Sequence, residues 1–365
     1  MMKQKILCIT NSFPIHPRLK KIASLFEEYS DLYFFSWDRE NSFQSLECKE
    51  GNVFVYSSHN GYGTAFKMLL GVPKFIHAVR KELKNVNPDI LIIRHWSTCF
   101  VLLPLIPKKY KVIYDVSDMP DSENKNMVKV YKWLERYVLK HSDVVILSSS
   151  YYLPFYENRH KSIYVLENKV DMNLMVRSEK DYKNERLTIS FIGMIRYCET
   201  LINLIEASKE LPIDIHLYGK GIDSEIISHY CLTEKINNVF IHGAYDYKDI
   251  ERLYRSSDLI YTAYPSMNEN VQYSIPNKLY EALLFERPLI ASVNTALGKI
   301  VEKENLGFVV DSSSVESINS VLKQVLNNPL LIENAKHSMA SYKKNNDVYW
   351  NSYKENAKKI IDKLI

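Results

Sequence analysis

Two successive series of short apolar runs, each run followed by a helical pattern, constrain this chain more than any other feature of it. The first comprises KILCIT (5–10), the helix HPRLKKIASLFEEY (16–29), DLYFFSW (31–37), the helical stretch FKMLLGVPKFIHAVRKELK (66–84) broken at Gly71 and Pro73, DILIIRH (89–95), KVIYDV (111–116), the helix VKVYKWLERYVLKH (128–141), DVVILSS (143–149) and SIYVLEN (162–168). Polar residues then dominate NKVDMNLMVRSEKDYKNER (168–186), as an interdomain link does. The second series runs through LTISFIG (187–193), LINLIEASKEL (201–211), IDIHLYGKG (213–221), NVFIHG (238–243), DIERLYRSS (249–257), DLIYTAY (258–264), KLYEALLFE (278–286) and PLIAS (288–292). Strands that are apolar throughout are buried on both faces, so an α/β chain with two doubly wound parallel sheets is expected. The reading divides it at 1–168 and 169–345, and leaves 346–365 as a tail with Tyr349, Trp350 and Tyr353 before a basic amphipathic helix that packs back toward the first domain. Ligands of such sheets bind outside the carboxyl ends of the strands, which places the expected site in a central cleft.

Composition narrows the function classes. The 47 basic and 43 acidic side chains leave a net charge of only +4, which gives no pull toward nucleic acid. Cys8, Cys48, Cys99, Cys198 and Cys231 are scattered and never form a CxxC pair, so neither a disulfide framework nor a zinc site is expected, and a reducing cytoplasm fits. Residues 1–10, MMKQKILCIT, are too short and too weakly apolar for a signal peptide, and no run is long enough to cross a bilayer. Leu69, Leu70, Val72, Phe75 and Ile76 interleave with Lys67, Lys74, Arg80, Lys81 and Lys84 in 66–84, a mixture that can touch anionic lipid peripherally or serve as an ordinary domain helix.

Three loops of the second series carry chemistry. FIGMIRY (191–197) ends a strand at Gly193 and follows it with Arg196, whose several fixed donors suit phosphate. IDIHLYGKG ends in Gly219, Lys220 and Gly221, and glycines let backbone approach an anion. In SIPNKLYEAL (274–283), Ser274 is the expected cap, Pro276 the first-turn proline, and Leu279, Ala282 and Leu283 the buried stripe. A helix start of this kind, with Asn277 and Lys278 in its first turn, attracts anions; the alternative is a capped core helix and no more. Glu281, acceptor-only when ionised, suits a pair of hydroxyls such as those of a ribose, so a nucleoside diphosphate would satisfy all three loops together.

In the first series, His16 and Arg18 precede a helix, where Arg18 lies either beside the ligand or on a solvated face. Arg94 and His95 end a strand and belong to the same crevice. Asp115, Asp118 and Asp121 follow another strand; they make a poor metal cluster with no histidine nearby, and Asp118 is better read as orienting an acceptor hydroxyl.

In order along the chain, NSFPIHPRLKKIASLF, IYDVSDMPD, LERYVLKHSDVVILSSSYY, VLENKVDMNLM, SFIGMIRYCETLINLIEA, LYGKGIDSEI, YRSSDLIYTAYPSMNENVQYSIPNKLYEALLFERPLIAS and NDVYWNSYKENAKKII resemble a GT-B fold glycosyltransferase, and more closely glycosyltransferase family 4. The resemblance implies two Rossmann-like domains facing a cleft, a nucleotide-sugar donor on the second domain, a glycan or lipid-linked acceptor on the first, and retention of anomeric configuration. It also implies no bound metal and no cofactor, because basic residues and helix dipoles offset the charge of the leaving diphosphate. Glu281 falls on the second glutamate of the family's Glu-x7-Glu motif, while the first is replaced by Tyr273. The family's arginine-lysine pair is incomplete: Arg196 lies two positions late and Glu199 stands for the lysine, so Lys278, or failing it Lys220, is expected to supply the charge. Ser117 stands where the first domain often carries a histidine.

What the resemblance implies is a hexosyltransferase of bacterial surface polysaccharide synthesis (capsule, O-antigen or exopolysaccharide), cytoplasmic or at the inner face of the cell membrane. Its expected catalytic residues are Arg196, Lys278 and Asp118. Gly193, Arg196, Gly219, Lys220, Tyr273, Ser274, Pro276, Asn277, Lys278 and Glu281 are expected on the donor, and His16, Arg18, Arg94, His95 and Ser117 on the acceptor side. The alternatives are a catalytically silent GT-B subunit, which the replacements at Tyr273, Glu199 and Ser117 favour, and a nucleotide-sugar epimerase, for which no acid/base set stands out.

Overall fold

The computed structural model describes residues 3–41, 47–58, 65–122, 124–171, 174 and 185–364. The chain divides into two compact units, Met1–Glu167 with Asn351–Ile365, and Asn168–Trp350. Residues 346–350 therefore group with the second unit, and only from Asn351 does the tail rejoin the first.

The first unit is built on strands β1 (Gln4–Thr10), β2 (Ser30–Asp38), β3 (Glu47–Glu50), β4 (Val53–Ser57), β5 (Ile90–Arg94), β6 (Lys111–Val116), β7 (Val144–Leu147) and β8 (Ile163–Val165). Their order in the sheet is β3-β4-β2-β1-β5-β6-β7-β8, parallel throughout except for the β3–β4 pair. Ile6–Ile9 and Ile90–Ile93 are almost wholly buried, which is why these strands read as unbroken apolar runs. The helices are α1 (Pro17–Ser24), α2 (Ala65–Val86), α3 (Trp96–Leu102), α4 (Lys125–Lys140) and α5 (Leu153–Tyr156). Gly71 and Pro73 do not break α2, contrary to expectation. Pro73 removes only one donor, and the following turns are held on the sheet by Phe75, stacked 4.7 Å from Trp37, and by Ala78, Val79, Leu83 and Val86. The side chains of Lys67 and Leu69, invoked for lipid contact, lie outside the described residues. Phe75 is buried, Ile76 half-buried, and Leu70 exposed, so the apolar face of α2 is largely core.

The second unit carries β9 (Leu187–Ile192), β10 (Ile213–Tyr218), β11 (Val239–Gly243), β12 (Leu259–Thr262), β13 (Leu289–Ser292) and β14 (Gly307–Val310), all parallel in the order β11-β10-β9-β12-β13-β14. Its helices are α6 (Cys198–Ser208), α7 (Ser224–Thr233), α8 (Ile250–Arg255), α9 (Glu269–Tyr273), α10 (Asn277–Phe285), α11 (Ala296–Lys303), α12 (Val315–Asn327) and α13 (Leu330–Asn345). The entering and leaving segments run side by side, with the Val170 N–H donating to Val348 O (3.0 Å) and the Trp350 N–H to Val170 O (2.7 Å). α14 (Lys354–Leu364) belongs to the first unit, where the Tyr353 hydroxyl accepts from the Glu167 N–H at 3.0 Å. Chain direction around the sheet reverses between β1 and β5 in the first unit and between β9 and β12 in the second, and these switch points mark where each sheet offers a crevice. No helix among the described residues is long and apolar enough to cross a membrane.

Candidate functional site

In the second unit, the loops after β9 and β10 lie backbone against backbone. A Cβ on Gly219 would overlap the Gly193 carbonyl, one on Gly221 would overlap that of Ile195, and Gly219 sits at φ +138°. Gly193 (φ +146°) has a second reason to be glycine: its missing Cβ would lie 2.7 Å from Lys278 Nζ. That ammonium donates to Tyr264 Oη at 2.9 Å and lies 5.1 Å from the centre of the Phe191 ring. The β9 loop, β12 loop and α10 thus converge on one lysine at the switch point of the sheet. Arg196 is exposed, its guanidinium 5.1 Å from the centre of the Tyr197 ring, and Tyr197 takes a left-handed backbone (φ 62°) to open α6. Lys220 is exposed beside Gly243.

Two helix N-termini border these loops. That of α6 is already occupied, since Asp223 accepts from the Cys198 N–H at 2.9 Å. That of α10 has no side-chain cap. Here the sequence expectation is corrected: Ser274 does not cap it, and Pro276 is not in its first turn. Ser274 is the extended residue that ends α9, its N–H donating to Asn270 O at 2.8 Å, and Pro276 itself occupies the cap position (ψ 154°). The proline ring excludes the helical region for Ile275, so the chain stays extended until Asn277. A proline cap offers no side-chain acceptor, and the first-turn N–H groups of Asn277 and Lys278 are left for another partner.

Glu281 is 6% exposed, one turn into α10. Tyr247 donates to its Oε1 at 3.0 Å and Tyr254 to its Oε2 at 2.8 Å. Burial and then the Glu281 charge push the Tyr245 phenol up to about 12 and those of Tyr247 and Tyr254 higher still. Each carboxylate oxygen retains a second acceptor site for a ligand hydroxyl. Tyr273 is the half-buried last residue of α9, and Glu199 is exposed in the first turn of α6.

In the first unit, Arg18 does not lie on a solvated face. It is 3% exposed and paired with the fully buried Asp115, Nε 3.0 Å and Nη2 2.9 Å from Oδ1, while Nη1 donates to Leu166 O at 2.7 Å. A buried guanidinium with a buried carboxylate ties the helix start to the strand. Ser117 donates to Asp115 Oδ2 at 2.9 Å and accepts from Arg94 Nε at 2.9 Å. His16 caps α1, its Nδ1 accepting from the Arg18 N–H (3.2 Å), and His95 caps α3, its Nδ1 accepting from the Ser97 N–H (3.3 Å). Burial first, then Arg94, lowers both imidazoles to about 4. Asp118 is exposed and within electrostatic reach of Arg94 and His95. Asp115 is fully buried, with Arg18 and Ser117 on its two oxygens.

The structure thus gathers Gly193, Gly219 and Lys278 in one unit and His16, Arg94, His95 and Ser117 in the other. Sequence reasoning missed Tyr254, Tyr264 and Asp223: the elements of the two tyrosines were legible and the helix after Asp223 was not, but in each case nothing local names a partner far along the chain. Residues 176–346 match the family model described as "Glycosyl transferases group 1". That match covers just under half of the chain. The chain is 25% identical over 307 residues, covering 78% of this chain and 80% of the relative, to an uncharacterised 41.2 kDa protein in the cps region of Klebsiella pneumoniae. Sucrose-phosphate synthase from Thermosynechococcus elongatus has a similar structure, with TM-score 0.78, 13% identity and 99% of each chain covered. So has the Anabaena protein HepE in complex with UDP and glucose, with TM-score 0.74, 14% identity and coverage of 98% and 99%. The chain therefore has the GT-B fold of two Rossmann-like units.

Proposed function

We propose that this protein is a retaining glycosyltransferase that takes a sugar from a nucleotide-diphosphate donor and transfers it to a glycan or lipid-linked glycan in surface polysaccharide synthesis. One observation carries the donor site: Lys278 Nζ, the glycine-lined β9 loop and the uncapped N-terminus of α10 meet at the switch point of the second sheet. The diphosphate is held by the first-turn N–H groups and by Lys278, with Arg196 swinging from Tyr197 onto it. As the bond to the sugar breaks, these donors offset the charge that builds on the leaving oxygen, so the chemistry proceeds without a resident metal. The buried Glu281, fixed by Tyr247 and Tyr254, accepts the ribose hydroxyls. UDP in the HepE complex favours a uridine donor, the cps-region relative favours polysaccharide synthesis, and the family 4 resemblance supplies retention. Asp118 orients the acceptor hydroxyl.

The test is a thermal-shift screen with UDP, GDP, ADP, CMP and dTDP on the wild type, Lys278→Ala and Glu281→Ala. A shift with one nucleotide that both variants lose supports the reading. Lys278→Ala is expected to reduce turnover by about 100- to 1,000-fold, the cost of one such donor. The replacement of a family glutamate by Tyr273 favours a second reading, a silent GT-B subunit. No shift with any nucleotide, and no sugar transfer, would select it.

A further inference from the structure

At the switch point of the first sheet, a relay of side chains leaves one arginine half free. Asp115 is neutralised by Arg18 on Oδ1, and Ser117 spends its proton on Asp115 Oδ2. The Ser117 oxygen can then only accept from Arg94, and it takes Nε at 2.9 Å. No acceptor among the described residues lies within hydrogen-bond distance of Arg94 Nη1 or Nη2, and the residue is half-buried, so the guanidinium is oriented from behind and open at its fork. Burial lowers its pKa, and the carboxylates of Asp115 and Asp118 act against that shift.

Two histidines lie within electrostatic reach of this arginine. His16 and His95 each take a backbone N–H at Nδ1, and His95 Nδ1 also lies 2.8 Å from Ser97 Oγ, an arrangement that favours the proton of each neutral ring on Nε2. In that form both rings are donors at Nε2. His95 is held at φ 73° and ψ 133°, a conformation that side chains rarely adopt and that persists only where surroundings enforce it. Asp118, also in reach, makes no ion pair among the described residues and is exposed, so its charge is screened.

We propose that the acceptor of this enzyme carries an oxyanion, a phosphate or a carboxylate, which the open fork of Arg94 grips bidentately with the Nε2–H groups of His16 and His95 as neutral donors. The proposal rests on the reading of the chain as a glycosyltransferase whose acceptor binds the first unit. Methyl phosphate and glucuronate serve as separate probes, each titrated into the full chain and followed by NMR or thermal shift, with UDP titrated in parallel. Saturable binding of one probe, weakened about tenfold or more in Arg94→Gln while the UDP shift is unchanged, is the expected result. The probe that saturates identifies the oxyanion. Arg94→Lys, which keeps the charge but loses the fork, is expected to fall between the two and guards against a folding artefact. An intact UDP shift with no saturable binding of either probe, or binding equal in wild type and Arg94→Gln, overturns the proposal and leaves the donor reading standing. Probe binding without any nucleotide shift or sugar transfer overturns the functional reading and the acceptor role with it.

Discussion

Replacing Arg18 with methionine tests whether the Arg18–Asp115 pair is structural. The pair is buried at 3% and 0% exposure, with Nε and Nη2 on Oδ1, and Arg18 also satisfies the Leu166 carbonyl. Removing one member of such a pair strands the other charge and costs about 3–5 kcal/mol; the orphaned carbonyl moves the expectation to the top of that range. Against a domain stability of about 5–15 kcal/mol, the first unit would lose a third of its margin or more. Urea unfolding followed by tryptophan emission is the assay, since Trp37, Trp96 and Trp133 lie in the first unit and Trp350 alone in the second. The midpoint of the first unit should fall with little change in slope. Adding Asp115→Asn removes the stranded charge and should restore part of the loss, by about 1–4 kcal/mol. A loss below about 1 kcal/mol in the single variant, or no recovery in the double, would refute the reasoning.

Acid should loosen the first unit through His16 and His95, whose folded pKa values lie near 4 against an ordinary 6.5. The unfolded chain takes up these protons first, so their contribution is complete above about pH 6.5 and drains as pH falls toward 4, by up to about 3 kcal/mol per histidine. His16→Asn, which keeps a capping acceptor, should flatten the pH dependence of the melting temperature, and an unchanged slope would contradict this. Gly219→Ala forces a Cβ into the Gly193 carbonyl, whereas Gly51→Ala (φ +58°) meets nothing within 4 Å; the first should melt several degrees lower than the second, and equal melting temperatures would refute the close approach. Tyr254→Phe leaves Glu281 Oε2 buried without its phenol and should cost about 1–3 kcal/mol, more than Tyr247→Phe at the exposed rim, as chemical denaturation can measure.

Strands buried on both faces, such as β1, β5 and β9, were legible because burial demands the unbroken apolar runs that the eye finds in sequence. β14 was not, since it is four residues long and opens on Gly307 at φ +148° beneath the Leu289 backbone. α2 was misread at Pro73 because tertiary packing through Phe75 outweighs one lost hydrogen bond. In the site, Gly193 could be read as a close approach of backbone, but its partner Lys278 is distant in sequence and the reason appears only in three dimensions. Arg18 was ambiguous for the same reason: a charged residue near a helix start carries no local mark of the buried Asp115 that claims it.

The return of α14 to the first unit has a consequence for synthesis on the ribosome. Ala357, Ile360, Ile361 and Leu364 are buried in that unit, so its packing cannot finish until all of Asn168–Trp350 has emerged. At about 5–20 residues per second the wait is on the order of 10–40 s, during which the surface that α14 covers stays open in a nascent chain. Ribosome-bound chains halted before Asn351 should therefore recruit hydrophobic-binding chaperones that full-length chains release, and equal recruitment would show that the first half closes without its last helix. The protein's first-made unit is the last to be completed.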